Sequence, residues 1–177
     1  MSNQSSCCQD KSCCSESSKK QIKIDFLYLD LNVCERCQGT ETNLDGAIKE
    51  ISTVLEAAGF ELQVNKVNIN SSELAYEYEF ISSPTIRING QDIVLEVKES
   101  SCKECGDLCG DDVDCRVWNY EGIDYTEPPK EMIINAILKV IYSGKNTDSE
   151  GSTKEEKYEL PTNLKHFFEL MEKKKAH

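Results

Sequence analysis

Histidine is almost missing: the chain has two, His166 and His177, both in its C-terminal tail. A core without imidazole offers no Ser–His or Cys–His hydrolytic pair and no histidine-rich metal centre. Positive charge is also scarce, with 20 Lys plus Arg against 32 Asp plus Glu and a formal net charge of -12. Such a surface repels a phosphate backbone unless cations cluster, and they do so only at Lys173, Lys174 and Lys175, so nucleic acid is not an expected partner. The glycines spell neither a phosphate loop nor a dinucleotide fingerprint. No run of roughly 18 apolar residues could span a bilayer. The opening residues lack the basic and apolar regions of an export signal. A cytoplasmic protein with no membrane partner is therefore expected.

Cysteine is what the chain has in excess: ten residues in 177. A reducing cytosol disfavours structural disulfides, which leaves thiol chemistry or metal binding as the main uses. The cysteines fall into three groups: Cys7, Cys8, Cys13 and Cys14; then Cys34 and Cys37; then Cys102, Cys105, Cys109 and Cys115. The first group belongs to residues 1–19, a Ser-, Cys- and Lys-rich stretch without hydrophobic period, expected to be a flexible tail.

From residue 20 the pattern changes. Ile22, Ile24, Phe26 and Tyr28 alternate with Leu27, Leu29 and Leu31, which suits a strand covered on both faces. Leu44, Ala47, Ile48, Ile51, Val54 and Leu55 follow at helical spacing, predicting a helix from about Thr40 to Ala58 with Gly59 as its left-handed stop. Phe60 to Ile69 reads as a second strand, and Asn70-Ser-Ser-Glu73 resembles a capping box opening a short helix to Phe80. After Pro84, Thr85–Ile88 and Ile93–Val97 flank Asn89-Gly90, a hairpin signal. Residues 98–126 hold the third cysteine group in a Gly- and Asp-rich insertion, with a small hairpin around Glu121-Gly122. Pro128 and Pro129 introduce a helix bearing Met132, Ile133, Ala136, Ile137 and Val140 on one face. The main domain should thus run over 20–142. Residues 143–160 are a linker by composition, and 161–177 form an amphipathic helix through Leu164, Phe167, Phe168 and Met171. That helix either docks on its own domain or binds a partner.

The order strand, Cys-x-x-Cys, helix, strand, helix, proline, hairpin, helix resembles the thioredoxin-like fold over about residues 21–142. More narrowly, Cys34-x-x-Cys37, Ile86-x-Ile-Asn-Gly90, Cys102-x-x-Cys105, Cys115-Arg116 and Tyr120-x-Gly122-x-x-Tyr125 resemble an uncharacterised prokaryotic thioredoxin-like family, a domain of unknown function. The resemblance implies an α/β, three-layer fold: a central mixed β-sheet with helices on both faces. It also implies that Cys34 is a nucleophile, Cys37 its resolving thiol and Pro84 a cis proline beside both, with Ser83 presenting its backbone to an extended substrate. Where thioredoxins carry Trp before the motif and Gly-Pro inside it, this chain has Val33 and Glu35-Arg36.

Two chemistries fit Cys34 and Cys37. A thiolate at a helix N-terminus gains from the helix dipole, so Cys34 could attack a disulfide of a substrate protein and Cys37 could resolve the mixed disulfide, with no cofactor. Alternatively the paired thiolates, with Cys7, Cys8, Cys13 and Cys14, bind or deliver zinc, copper(I), arsenite or mercury. Cys102, Cys105, Cys109 and Cys115 supply four thiolates for a Zn2+ site that would order the insertion, with an iron–sulfur cluster, disulfides or a second redox pair as alternatives.

Overall fold

The computed structural model describes residues 19–94, 96–143 and 158–176. Cys7, Cys8, Cys13 and Cys14, and most of the linker, lie outside the described residues.

The chain is α/β with a mixed sheet. Strand β1 (Lys20–Tyr28) is central, paired in parallel with β2 (Phe60–Asn68) and antiparallel with β3 (Thr85–Ile88), which turns into the short β4 (Gln91–Asp92). Strand residues alternate between faces. Ile22, Ile24 and Phe26 therefore meet helices α1 (Glu35–Ala57) and α4 (Lys130–Tyr142), through Leu44, Ala47, Ile51, Leu55, Ile133 and Ile137. Leu27 and Leu29 face the other way, toward α2 (Ser72–Glu77), α3 (Lys103–Cys109) and α5 (Thr162–Lys175). Each large apolar side chain buried in these layers contributes about 1.5–3 kcal/mol.

Helix α1 begins at Glu35, earlier than the periodicity predicts, because Cys34 serves as its N-cap. Its end agrees with expectation, Gly59 standing at φ +85°. Ser71 caps α2, its hydroxyl accepting the Leu74 N–H at 3.3 Å.

The hairpin after Pro84 is shorter than expected. Ile93 and Val94 do not continue the strand, because the Asp92 carboxylate accepts the Val94 N–H at 3.0 Å and so bends the chain out of the ladder. The chain then enters a second, antiparallel sheet of β5 (Lys98–Ser101), β6 (Asp114–Tyr120) and β7 (Ile123–Tyr125). The expected turn at Glu121-Gly122 joins β6 to β7, both residues having positive φ. Among the described residues, no helix is long and apolar enough to cross a membrane.

Candidate metal and thiol centre

The loop after β1 delivers Cys34 to its place. Asp30 Oδ1 accepts the N–H groups of Asn32 and Val33 at 2.6 and 2.7 Å, an Asx turn that reverses the chain. Gln38 Nε2 reaches back to the carbonyls of Leu31 and Asn32, tying the loop to the first turn of α1. Cys34 then caps that helix, its Sγ accepting the Cys37 N–H at 3.4 Å.

Cys102 holds the matching position on α3, as its N-cap, and its N–H donates to Val113 O at 2.7 Å. Cys105 lies one turn further on, and Cys115 returns on β6, its thiol donating to the Cys105 sulfur at 3.5 Å. Two glycines make this return possible. A Cβ on Gly106 would stand 2.9 Å from the Asp111 carbonyl oxygen, and Gly110 ends α3 at φ +92°, where other residues are strained.

Together, the sulfurs of Cys34, Cys102, Cys105 and Cys115 lie within 4.8 Å of one another, and all four residues are buried. A tetrahedral ion with metal–sulfur bonds of about 2.3 Å sets its sulfurs roughly 3.8 Å apart. The group is therefore compact enough to hold a metal ion, and no pair in it is disulfide-bonded. The protein would fill all four positions, leaving none for the activated water of a zinc hydrolase.

The electrostatics centre on Cys34. Hydrogen bonding with the neighbouring thiols, Cys102 first and then Cys105, Cys115 and Cys37, holds its pKa well below the ordinary thiol range. Cys37 moves oppositely, pushed up first by the Cys34 sulfur and then by burial. Cys102 is lowered by its bonds from Cys105 and Cys115, while those two are raised, in each case first by their bonding to Cys102. Both lowered thiols stand at helix N-caps, where first-turn N–H groups favour negative charge.

The third cysteine group divides. Cys109, expected among the zinc ligands, stands outside the four-sulfur group, its thiol directed at the Gly106 and Asp111 carbonyls at 3.7 and 3.5 Å. Cys34 takes the fourth position. Cys37 is also outside it, with Sγ 3.4 Å from Ser83 Oγ, which in turn accepts the Leu29 N–H at 3.1 Å. The Ser83–Pro84 peptide is cis. The Ser83 carbonyl, expected to be open to an extended substrate, accepts the Arg116 N–H at 2.7 Å, so the chain's own β6 occupies that edge.

Sequence reasoning missed two arginines. The Arg36 guanidinium donates to the carbonyls of Ser100, Ser101 and Cys115, clamping β5 and β6 to the first turn of α1. Arg116 is 1% exposed and forms a two-pronged pair with Asp92 at 2.9 and 2.8 Å beneath the Trp118 ring. Its adjacency to Cys115 was the available signal.

Helix α5 covers this half of the molecule. Leu164, Phe167 and Phe168 are buried in the same cluster as the cysteines. Asn163 exchanges bonds with both backbone groups of Asp114, and Lys174 Nζ donates to Leu108 O at 2.8 Å.

Fold and site together define an α/β protein with a mixed sheet and a buried four-cysteine group able to hold a metal ion. The chain belongs to the family described as Domain of unknown function (DUF2703), whose model matches residues 22–137. That span contains all four clustered cysteines and ends before α5. Neither a curated protein nor a solved structure matches the chain.

Proposed function

We propose that the protein binds one thiophilic ion, Zn2+ first among them, on Cys34, Cys102, Cys105 and Cys115. The observation that carries this reading is the convergence of four buried sulfurs from α1, α3 and β6 to within 4.8 Å of one another. All-sulfur tetrahedral sites select zinc, copper(I) or iron–sulfur chemistry over harder ions. An ion there would cross-link the β5-α3-β6 segment to α1, adding to the Arg36 clamp. The cysteines at 7, 8, 13 and 14 would relay ions to the site, in a cytoplasmic setting that keeps them reduced.

The thioredoxin-like topology belongs to the same proposal. It is supported by the strand order β2-β1-β3-β4, the Cys-x-x-Cys at the junction of β1 and α1, and Pro84 at the entry to β3. A second reading, thiol–disulfide exchange through Cys34 and Cys37, is favoured by the low pKa of Cys34 and by Cys37 held beside it. Against it stands the burial of both sulfurs, each residue being 0% exposed, beneath a substrate edge that β6 already fills.

Metal analysis and native mass spectrometry of the full chain, purified anaerobically under reduction, test the proposal. One retained ion per chain is expected, with cobalt(II) giving the spectrum of a four-sulfur tetrahedron. Cys105→Ser should lose the ion to a chelator that leaves the wild type loaded. A wild type that takes up no zinc, or a Cys105→Ser protein that holds it equally well, overturns the reading.

A further inference from the structure

Cys34 belongs to two arrangements at once. Its sulfur is a corner of the four-sulfur group, and it is also the first thiol of Cys34-x-x-Cys37, where it accepts the Cys37 N–H at 3.4 Å. One helical turn sets residues i and i+3 about 5 Å apart at Cα, inside the window of about 4.4–6.8 Å that a disulfide accepts. Cys37 has no role in holding the ion. It is nonetheless fixed in place, buried, with Ser83 Oγ 3.4 Å away and that hydroxyl anchored by the Leu29 N–H.

Cys102-x-x-Cys105 likewise begins at a helix N-cap, on α3, without a side-chain cap bond, and both of its sulfurs are in the group. The molecule therefore pairs one dithiol committed to the ion with one dithiol of which half is held in reserve.

We propose that Cys37 is a release thiol: oxidation joins it to Cys34, withdraws one of the four ligands and lets the ion go. This rests on the metal-binding reading above. The oxidant is a peroxide, taken here as hydrogen peroxide. The Cys34 sulfur attacks one peroxide oxygen, the O–O bond breaks, and Cys34 becomes a sulfenic acid while hydroxide leaves and is protonated to water. Cys37 Sγ, giving up its proton, then attacks Cys34 Sγ. The S–S bond forms, the S–O bond breaks, and a second water leaves. Two thiols have lost two electrons and one peroxide has become two waters. The ion keeps three sulfurs, and an acceptor thiol or chelator can take it. A dithiol reductant reverses the change.

Cavities large enough for so small a molecule lie beside Cys102 and beside the residue that precedes Cys34. A cavity of about 440 Å³ is lined by Val33, the residue before Cys34, with Glu104, Asp107 and Leu108 of α3. A second, of about 370 Å³, includes Cys102 in its wall.

The experiment uses the zinc-loaded full chain with a chromophoric chelator and a modest excess of hydrogen peroxide, reading zinc release and mapping disulfides by peptide mass. The wild type should release one equivalent, show a Cys34–Cys37 disulfide and reload zinc after dithiothreitol. Cys37→Ser should bind zinc normally, but release it at least tenfold more slowly or fail to reload. Cys109→Ser, altered at a thiol outside both arrangements, should behave as the wild type. Zinc kept under peroxide, or released with a disulfide among Cys102, Cys105 and Cys115 instead, overturns the switch and leaves metal binding intact. A chain that never takes up zinc overturns both.

Discussion

The two faces of β1 are built on different principles. On one, Ile22, Ile24 and Phe26 meet the long helices α1 and α4, and Leu44, Ile51, Ile133 and Ile137 complete an aliphatic layer. On the other, Leu27 and Leu29 meet six cysteines, Phe80, Phe167 and Phe168, carried largely on short elements. Helix α3 has 7 residues and β5 has 4, all exposed, lengths too short to persist unaided. The first face is stabilised by area removed from water. The second depends on discrete ties: the Arg36 clamp, the Arg116–Asp92 pair, the clasp of α5 and, in our proposal, an ion.

Stripping the ion should therefore break the symmetry between the faces, and this is the largest effect expected. A ligand present at about 1,000 times its Kd stabilises by about 4 kcal/mol, or roughly a thousandfold in an opening equilibrium. Hydrogen exchange with and without chelator, under reduction, should show that loss concentrated in β5, α3, β6 and α5. Amides in the second half of α1 and in α4 should change little. A uniform loss of protection over the whole chain would show that the two faces are not separable.

The converse test strikes the aliphatic face. Leu44 is fully buried, and Leu44→Ala should cost about 3 kcal/mol through lost transfer energy and the cavity left behind. Denaturant unfolding should return the same cost for loaded and stripped protein. If zinc changes that cost by half or more, the layers communicate more strongly than their separate packing implies.

This division also governs what the sequence could disclose. The aliphatic face was legible, because Leu44 through Leu55 and Met132 through Val140 announce α1 and α4 by period alone. Local chemistry was legible too, in the turns at Asn89-Gly90 and Glu121-Gly122 and, one residue later than the Asn70–Glu73 spacing implies, in the Ser71 cap. The sulfur group was only partly so. Spacing grouped Cys102, Cys105 and Cys115 but assigned Cys109 with them, since nothing local distinguishes a sulfur turned toward the carbonyls of Gly106 and Asp111 from one turned inward. Cys34 comes to the group through tertiary folding, and no spacing rule reaches that far. Ile93–Val97 misled for a similar reason: its strand-like composition yields to the Asp92 carboxylate, which serves both Val94 and Arg116.

Between the faces stands Arg36, on α1 but bonded to the sulfur side. Arg36→Ala removes charge-assisted bonds to three carbonyls, one of them from Cys115 itself. The side chain is partly exposed, which reduces the cost to about 1–2 kcal/mol. Zinc affinity should fall about tenfold, the equivalent of roughly 1.4 kcal/mol, as measured by chelator competition. Arg36→Lys should not restore it, because a single ammonium cannot reproduce the planar fork that spans Ser100, Ser101 and Cys115. Full rescue by lysine would mean that charge alone, and not the clamp, matters there.

The smallest expected effect isolates the cover from the site. Asn163 accepts the Asp114 N–H at 3.1 Å and donates to its carbonyl at 2.8 Å, holding α5 to the first residue of β6, next to Cys115. Both bonds are exposed, so Asn163→Ala should cost about 1 kcal/mol, a roughly fivefold gain in hydrogen exchange along α5. The cobalt(II) spectrum should stay as in the wild type, because no ligand lies on α5 and Leu164, Phe167 and Phe168 still seat the helix. A shifted spectrum would show that α5 shapes the sulfur geometry itself, and the cover would then belong to the site.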